Sequence, residues 1–152
     1  MKNKENIRKE TKMTKYKLTN TTFIKGELEF DKEQFEVPDL FRVDFSNARE
    51  SYEYVEINGE NTRTDKILKY SVSAKDGEIS QFLEEKGMFS EVDELKDFSF
   101  EIVGSLEKVK TLKENNSIRY IHFIDYSIKP KWNSVKKCFD GLKVEVRDFE
   151  EE

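Results

Sequence analysis

The side chains with the most distinctive chemistry in this sequence are a single histidine and a single cysteine. His122 and Cys138 lie 16 positions apart on unrelated segments, so a catalytic Cys–His pair would need chance proximity. One thiolate and one imidazole also supply too few soft ligands for a structural zinc site. We therefore predict no metal site, no cofactor and no disulfide within the chain.

Motifs of common enzymes are absent from the sequence. It contains no Gly-rich phosphate loop, no Gly-x-Ser-x-Gly and no His-Glu-x-x-His. Paired carboxylates such as Glu84-Glu85 are typical of a helix surface, although a two-metal nuclease with dispersed ligands stays open. We predict that the protein is not an enzyme.

Charge is distributed unevenly along the chain. The net charge is −5 over 152 residues. Residues 18–107 have a balance of −12, whereas residues 1–17 and 108–137 have balances of +5 and +6. An acidic body with one basic stretch favours a local nucleic-acid site over non-specific coating of a duplex. Lysines that only keep a β protein soluble would give the same pattern.

The basic stretch predicts a site for a phosphate backbone. Residues 107–116 carry Lys108, Lys110 and Lys113, and Arg119 follows them. We predict that this segment is the loop between the last two strands, where such side chains follow the phosphates of a single strand. A solvated loop without a ligand is the competing interpretation.

Two tyrosines are the best candidates for stacking on bases. Tyr52 and Tyr54 lie on the strand face opposite Val55 and Ile57. If the aliphatic pair fills the core, both rings are exposed, and each stacked base contributes about 1–3 kcal/mol. Packing of both rings beneath the short extended segments expected at residues 16–30 is the alternative. The remaining candidate binding residues are basic or aromatic: Arg63, Lys66, Lys69 and Trp132.

Hydrophobic periodicity predicts mostly strands. Alternation with a period of two indicates strands at 40–46, 52–57, 67–74, 98–106 and 117–128. Asn58-Gly59 predicts a tight turn, and Pro130 is expected to end the longest strand. A period near 3.6 predicts a helix that begins after Asp76 and ends at Gly87. Residues 132–139 are expected to form a helical turn and residues 141–146 a last strand.

This order of elements predicts the fold class. We expect a mainly β protein, a five-stranded OB-like Greek-key barrel with a helix between strands 3 and 4, plus N- and C-terminal extensions. A mixed α+β sheet and a β-sandwich stay open. We expect a disordered basic arm at residues 1–14, a single domain at 15–147 and a short acidic tail at 148–152.

The pattern also resembles a known group of proteins. Residues 60–73 (Glu-Asn-Thr-Arg-Thr-Asp-Lys-Ile-Leu-Lys-Tyr-Ser-Val-Ser), the helix after them and the strand pair at 98–126 look like the small OB-fold single-stranded DNA-binding proteins of Gram-positive conjugative plasmids and related mobile elements. The likeness covers residues 38–128. It implies cooperative, sequence-tolerant binding and an accessory role in plasmid or phage replication or conjugative transfer. The short acidic end differs from the long linker and acidic tip of housekeeping relatives.

The expected partner is therefore single-stranded DNA, with RNA left open and with copies of the chain assembling along the strand. The alternative is an acidic adaptor or inhibitor of a mobile element that mimics DNA and binds a basic protein. The sequence contains no run of about 18 apolar residues, so we predict no membrane helix. Residues 1–17 lack the apolar core of a secretory signal. We expect a cytoplasmic location.

Overall fold

The computed structural model describes residues 28–152. The basic arm expected at residues 1–14 and the first part of the predicted domain lie outside the described residues. Residues 28–152 form six strands and three α-helices. The strands are β1 (Phe41–Asp44), β2 (Arg49–Ile57), β3 (Glu60–Asp76), β4 (Phe98–Ile102), β5 (Ile118–Asn133) and β6 (Cys138–Glu151). The helices are α1 (Gly77–Glu85), α2 (Phe89–Glu94) and α3 (Leu106–Glu114).

The strands ring round a common core. The sheet order is β1-β5-β6-β4-β3-β2, and β1 pairs with β3 as well as with β5. That extra pairing closes five of the strands into a ring and leaves β2 paired with β3 alone among the described strands. Within residues 28–152 only β4 and β6 run parallel; the other pairs are antiparallel. The prediction of a mainly β protein is confirmed.

Aromatic rings fill the inside of the ring. Phe41 lies 4.3 Å from Phe123 and 5.5 Å from Phe98, measured between ring centroids. Phe100 meets Phe123 edge to face at 4.8 Å. Such pairs add about 0.5–1.5 kcal/mol each beyond their burial. The neighbours on these strands alternate, so Arg42, Ser99 and Glu101 point outward.

The predicted helix after β3 is confirmed, but its apolar stripe is not buried. Asp76 caps α1, because its Oδ1 accepts from the backbone N–H groups of Glu78 at 3.1 Å and Ile79 at 3.2 Å. Ile79 and Phe82 nevertheless lie on the surface, and Phe82 is 57% exposed. The helix contacts β1 and β3 through its small residues, since Gly77 donates to the carbonyl of Leu40 at 2.8 Å.

The predicted loop at residues 107–116 is instead helix α3 and the turn that ends it. The apolar spacing explains the difference: Val109 and Leu112 lie three positions apart and are buried against the barrel. The strand expected at 98–106 ends at Ile102. A Cβ on Gly104 would clash with the carbonyl oxygen of Arg147, so the chain crosses β6 closely on its way into α3.

The last two strands are longer than predicted. Pro130 does not end β5; it lies opposite Leu142, and a register shift follows it before Trp132. The expected helical turn at 132–139 is the hairpin between β5 and β6, and the expected acidic tail continues β6 to Glu151. Two further register shifts near Asp125 change which side chains of β5 point into the barrel. Ile121 is buried before them and Ile128 after them, whereas Ile118 and Ile124 are exposed, which contradicts the predicted alternation.

Candidate nucleic-acid interface

An open cleft of about 810 Å³ runs across the outer face of β3, β4 and β6. Its floor is polar, because the outward positions of β3 and β4 are serines: Ser71, Ser73 and Ser99. Three basic side chains line its edges: Arg49 from β2, Lys131 from β5 and Lys143 from β6. Two acidic side chains, Asp97 and Glu101, also line the cleft, so it offers hydroxyl donors in its centre and one positive charge in excess around them.

A chain of ion pairs crosses this face from strand to strand. Lys69 donates to Oε1 of Glu101 at 2.9 Å, and Lys143 lies 3.3 Å from Oε2 of the same carboxylate. Lys143 also lies 3.2 Å from Oε1 of Glu145, whose Oε2 accepts from Lys129 at 2.9 Å. Three ammonium groups thus share two carboxylates, and the network keeps one positive charge in excess beside the cleft.

The titration of Glu145 follows from its place in this network. Burial alone raises the pKa of its carboxyl, but hydrogen bonds from Lys129 and Lys143 outweigh burial and hold the pKa below its ordinary value of 4.5. Burial lowers the pKa of Lys143, and the carboxylates of Glu145 and Glu101 more than compensate, so its pKa is raised. At neutral pH the Glu145 carboxylate and the Lys143 ammonium group are therefore both charged.

The hairpin of β5 and β6 extends past the cleft as a two-stranded arm, which we call the β5–β6 arm (residues 129–143). It carries five basic side chains and one acidic one, a balance of +4. Trp132 packs edge to face on Phe139, with ring centroids 5.1 Å apart. Val135 in the turn is 90% exposed. The arm combines aromatic surface with positive charge next to the cleft.

The hairpin of β2 and β3 forms a second arm, the β2–β3 arm (residues 52–66). It carries four acidic side chains and two basic ones, a balance of −2. The predicted Asn58-Gly59 turn is confirmed, with φ of 52° and 80°. Both faces of the arm are exposed because it extends beyond the barrel, so Val55 and Ile57 do not fill the core as expected.

The two predicted stacking residues on this arm differ. Tyr54 is 60% exposed. Tyr52 is half-buried, and the guanidinium carbon of Arg63 lies 3.7 Å from its ring centroid. The cation therefore occupies a face of Tyr52 that a base would need. Lys66 is exposed near the base of the arm, and Lys69 belongs to the ion-pair network.

The three lysines of α3 do not form a continuous basic track. Lys113 donates to the carbonyl oxygen of Ala48 at 2.7 Å and to Glu50 at 2.6 Å. Lys108 donates to the carbonyl oxygen of Phe149 at 2.8 Å. Two of the three lysines thus fasten the helix to the barrel, and Lys110 projects from its exposed face.

Arg119 and Trp132 complete the predicted set, and they lie apart. Arg119, near the start of β5, pairs with Glu151 at 2.9 Å. Trp132 lies near the end of the same strand, on the β5–β6 arm. The structure therefore brings Lys69 and the neighbourhood of Trp132 to the cleft. Lys113 bonds to Ala48 at the edge of the cleft, whereas Lys108, Lys110 and Arg119 lie elsewhere on the barrel.

Sequence reasoning missed Arg49, Lys129, Lys131 and Lys143 as candidate residues. The signal was present, since Lys129, Lys131, Lys136 and Lys137 surround the only tryptophan. The expectation that Pro130 ends the strand hid the hairpin that carries them. Arg49 gave no such signal, because only the pairing of β2 with β3 places it beside Ser71.

The histidine and cysteine lie in different surroundings. His122 Nδ1 lies 2.7 Å from the carbonyl oxygen of Asp39, beside a cleft of about 380 Å³. Cys138 is exposed at the start of β6. Residues 28–152 contain no group of three or more His, Cys, Asp or Glu side chains placed to hold a metal ion. Over the same residues, no helix has the length and apolar character needed to cross a membrane.

Comparisons with family models, curated proteins and solved structures give no match to this chain.

Proposed function

We propose that this chain is an OB-like barrel that binds single-stranded DNA across the cleft on β3, β4 and β6. The observation that carries the proposal is the cleft itself, with Arg49, Lys131 and Lys143 around a floor of serines. Unpaired strands are bound by a positively charged groove with aromatic rings beside it. Trp132 and Phe139 provide such rings on the adjoining arm.

The strand order supports the OB-like assignment. β1 and β2 are separated only by the short turn Phe45–Asn47, so they count as one bent first strand. Strands 2 to 5 are then β3, β4, β5 and β6, and the helix between strands 3 and 4 is α3. The helix that the sequence predicted for that place, α1, lies between strands 2 and 3 by this count. The oligonucleotide site of an OB-fold lies on strands 2 and 3 and on the loops joining strands 1–2 and 4–5. By this count β3 and β4, which the cleft crosses, are strands 2 and 3. The two arms are the loops that join strands 1–2 and 4–5.

The resemblance to single-stranded DNA-binding proteins of mobile elements agrees with this proposal. It would give the protein an accessory role in replication or conjugative transfer. Binding is expected to be tolerant of sequence, because phosphate contacts and stacking do not read base edges.

The test is a salt-titrated binding assay with fluorescein-labelled oligo-dT, oligo-rU and a duplex. We expect anisotropy to rise with the single strands, and the fluorescence of the only tryptophan to be quenched. Arg49→Glu and Lys131→Glu should weaken binding and lower the salt slope by about 0.7 for each phosphate that the variant no longer neutralises. Lys110→Glu is the matched control, since it makes the same charge change on exposed α3.

Two results would reject the proposal. One is the absence of binding to any single strand at low salt. The other is equal loss of affinity in Lys110→Glu and Lys131→Glu, because the cleft would then have no special role. Preference for oligo-rU over oligo-dT would retain the site and change the ligand to RNA.

The second candidate function is that of an acidic adaptor, and α1 and α2 favour it. Residues 77–97 carry seven acidic and two basic side chains. Among them Phe82 and Phe89 are 57% and 62% exposed and offer apolar surface beside this charge. A basic partner protein would be captured in the presence of nuclease and lost in Phe82→Ser/Phe89→Ser, while Lys131→Glu would retain it.

A further inference from the structure

The two arms extend from opposite ends of the barrel. In the β3–β4 register, Tyr70 lies opposite Ile102, so the turn of the β2–β3 arm lies beyond the end of β4. In the β4–β6 register, Glu101 lies opposite Glu145, so the turn of the β5–β6 arm lies beyond the start of β4. One copy therefore presents a different arm at each end.

The exposed surfaces of the arms are complementary in charge. The β2–β3 arm has a balance of −2, and Glu56 and Glu60 are exposed next to its turn. The β5–β6 arm has a balance of +4, or +2 without Lys129 and Lys143, which pair with Glu145 and Glu101. Lys136 and Lys137 are exposed in its turn. Lys136 forms a 3.0 Å ion pair with Asp140, but both side chains are more than half exposed, so the pair is weak.

Each arm also exposes apolar side chains near its turn. Ile57 on the β2–β3 arm is 51% exposed, and Val135 on the β5–β6 arm is 90% exposed. Contact between unlike arms would cover both side chains and pair opposite charges, whereas contact between like arms would bring equal charges together. The complementarity in charge therefore favours contact between unlike arms.

We propose that the β2–β3 arm of one copy binds the β5–β6 arm of the next, so that copies associate head to tail. Because the two surfaces are different and lie at opposite ends, the contact is heterologous and does not close on itself as a two-fold dimer would. The arms are small, so the contact belongs to the weak class that buries less than about 1,200 Å². This inference does not depend on the proposed function and is tested without nucleic acid.

The experiment is sedimentation velocity over a concentration series at low and high salt. We expect the average mass of the 18.1 kDa chain to rise past that of a dimer at low salt. High salt should return it to the monomer, because exposed charges are screened. A monomer at every concentration, or a mass that stops at the dimer, would overturn the proposal.

Charge reversal identifies the surfaces. Glu56→Lys/Glu60→Lys and Lys136→Glu/Lys137→Glu should each weaken association about five- to tenfold, because the first makes both arms basic and the second makes the turn of the β5–β6 arm acidic like the turn that it faces. Mixing the two variants should restore association, and so should the chain that carries all four substitutions. Failure of both to restore it, with circular dichroism unchanged, would contradict the pairing of these arms.

Discussion

The two hairpin arms are built alike and differ in what they offer a ligand. Each continues a strand pair beyond the barrel, and each is joined to the barrel by a Glu–Lys ion pair. Lys113 holds Glu50 at the base of the β2–β3 arm, and Lys129 holds Glu145 at the base of the β5–β6 arm. The β2–β3 arm is acidic, and Arg63 covers one face of its Tyr52 ring. The β5–β6 arm is basic and carries Trp132.

The two arms show that exposure alone does not make an aromatic ring suitable for base stacking. Tyr54 is more exposed than Trp132, but the acidic side chains around it repel a phosphate backbone. Trp132 is half-buried, but it adjoins Lys131 and the cleft. Under the two proposals above, the base of the β5–β6 arm around Trp132 contacts nucleic acid, and the outer ends of both arms contact neighbouring copies.

The largest expected effect comes from the aromatic ring of the basic arm. Trp132→Ala should weaken binding of oligo-dT by about 1–3 kcal/mol, which is roughly 5- to 150-fold, because a stacked base loses its platform. Fluorescence anisotropy measures the change. Tyr54→Ala on the acidic arm is the control and should leave the affinity unchanged. Equal losses of affinity for oligo-dT in the two variants would contradict the assignment of base stacking to the basic arm.

The next effect concerns the base of the β5–β6 arm. Because the folded pKa of Glu145 is depressed below 4.5, its charge stabilises the fold above that pH, and the stabilisation is lost as the pH falls through the folded value. Glu145→Gln should lower the free energy of unfolding at neutral pH by about 1–2 kcal/mol. Urea unfolding between pH 3 and pH 7 should also show a weaker decline in acid than in the unaltered protein.

The equivalent test at the other arm is Glu50→Gln. A hydrogen bond from Lys113 is the main reason that the pKa of Glu50 is lowered, so the sign of the pH dependence is the same. Lys113 keeps its bond to the Ala48 carbonyl in this variant, so we expect a smaller loss of stability. A pH profile that neither substitution alters would show that these carboxylates do not anchor the arms.

The turns should respond in opposite directions. Gly59 has φ of +80° and open space around it, so Gly59→Ala costs only backbone strain, about 1 kcal/mol. Lys137 has φ of +54°, so Lys137→Gly should relieve strain and stabilise the fold by up to about 1 kcal/mol. Thermal unfolding measures both. Destabilisation by Lys137→Gly would mean that its side chain contributes more than its backbone costs.

The smallest effect is expected at Arg63. Its guanidinium lies over the ring of Tyr52, so Arg63→Ala should lower stability by about 0.5 kcal/mol because the cation–π interaction is removed. The affinity for oligo-dT should not change, because the arm is acidic. A clear loss of affinity would place Arg63 and Tyr52 in the nucleic-acid site and would contradict the assignment of nucleic-acid contact to the basic arm alone.

Local pattern predicts several elements and fails where side-chain spacing is ambiguous. The Asn58-Gly59 turn and the Asp76 cap depend on neighbouring residues, and both are present. The prediction for residues 107–116 is wrong because their lysines suggest a loop, although Val109 and Leu112 have helical spacing. The prediction of which β5 side chains share the inward face is wrong, because bulges exchange the two faces of the strand. A bulge leaves little trace in the amino-acid composition.

The β character, the absence of common enzyme motifs and the uneven charge can be read from the sequence, because they follow from residue types and short-range periodicity. Which charges meet depends on the three-dimensional fold. Lys69, Glu101 and Lys143 come from three strands, and strand register alone makes them one network. Register is set by the packing of the whole barrel, so residues distant in the chain acquire a shared surface only when the ring closes.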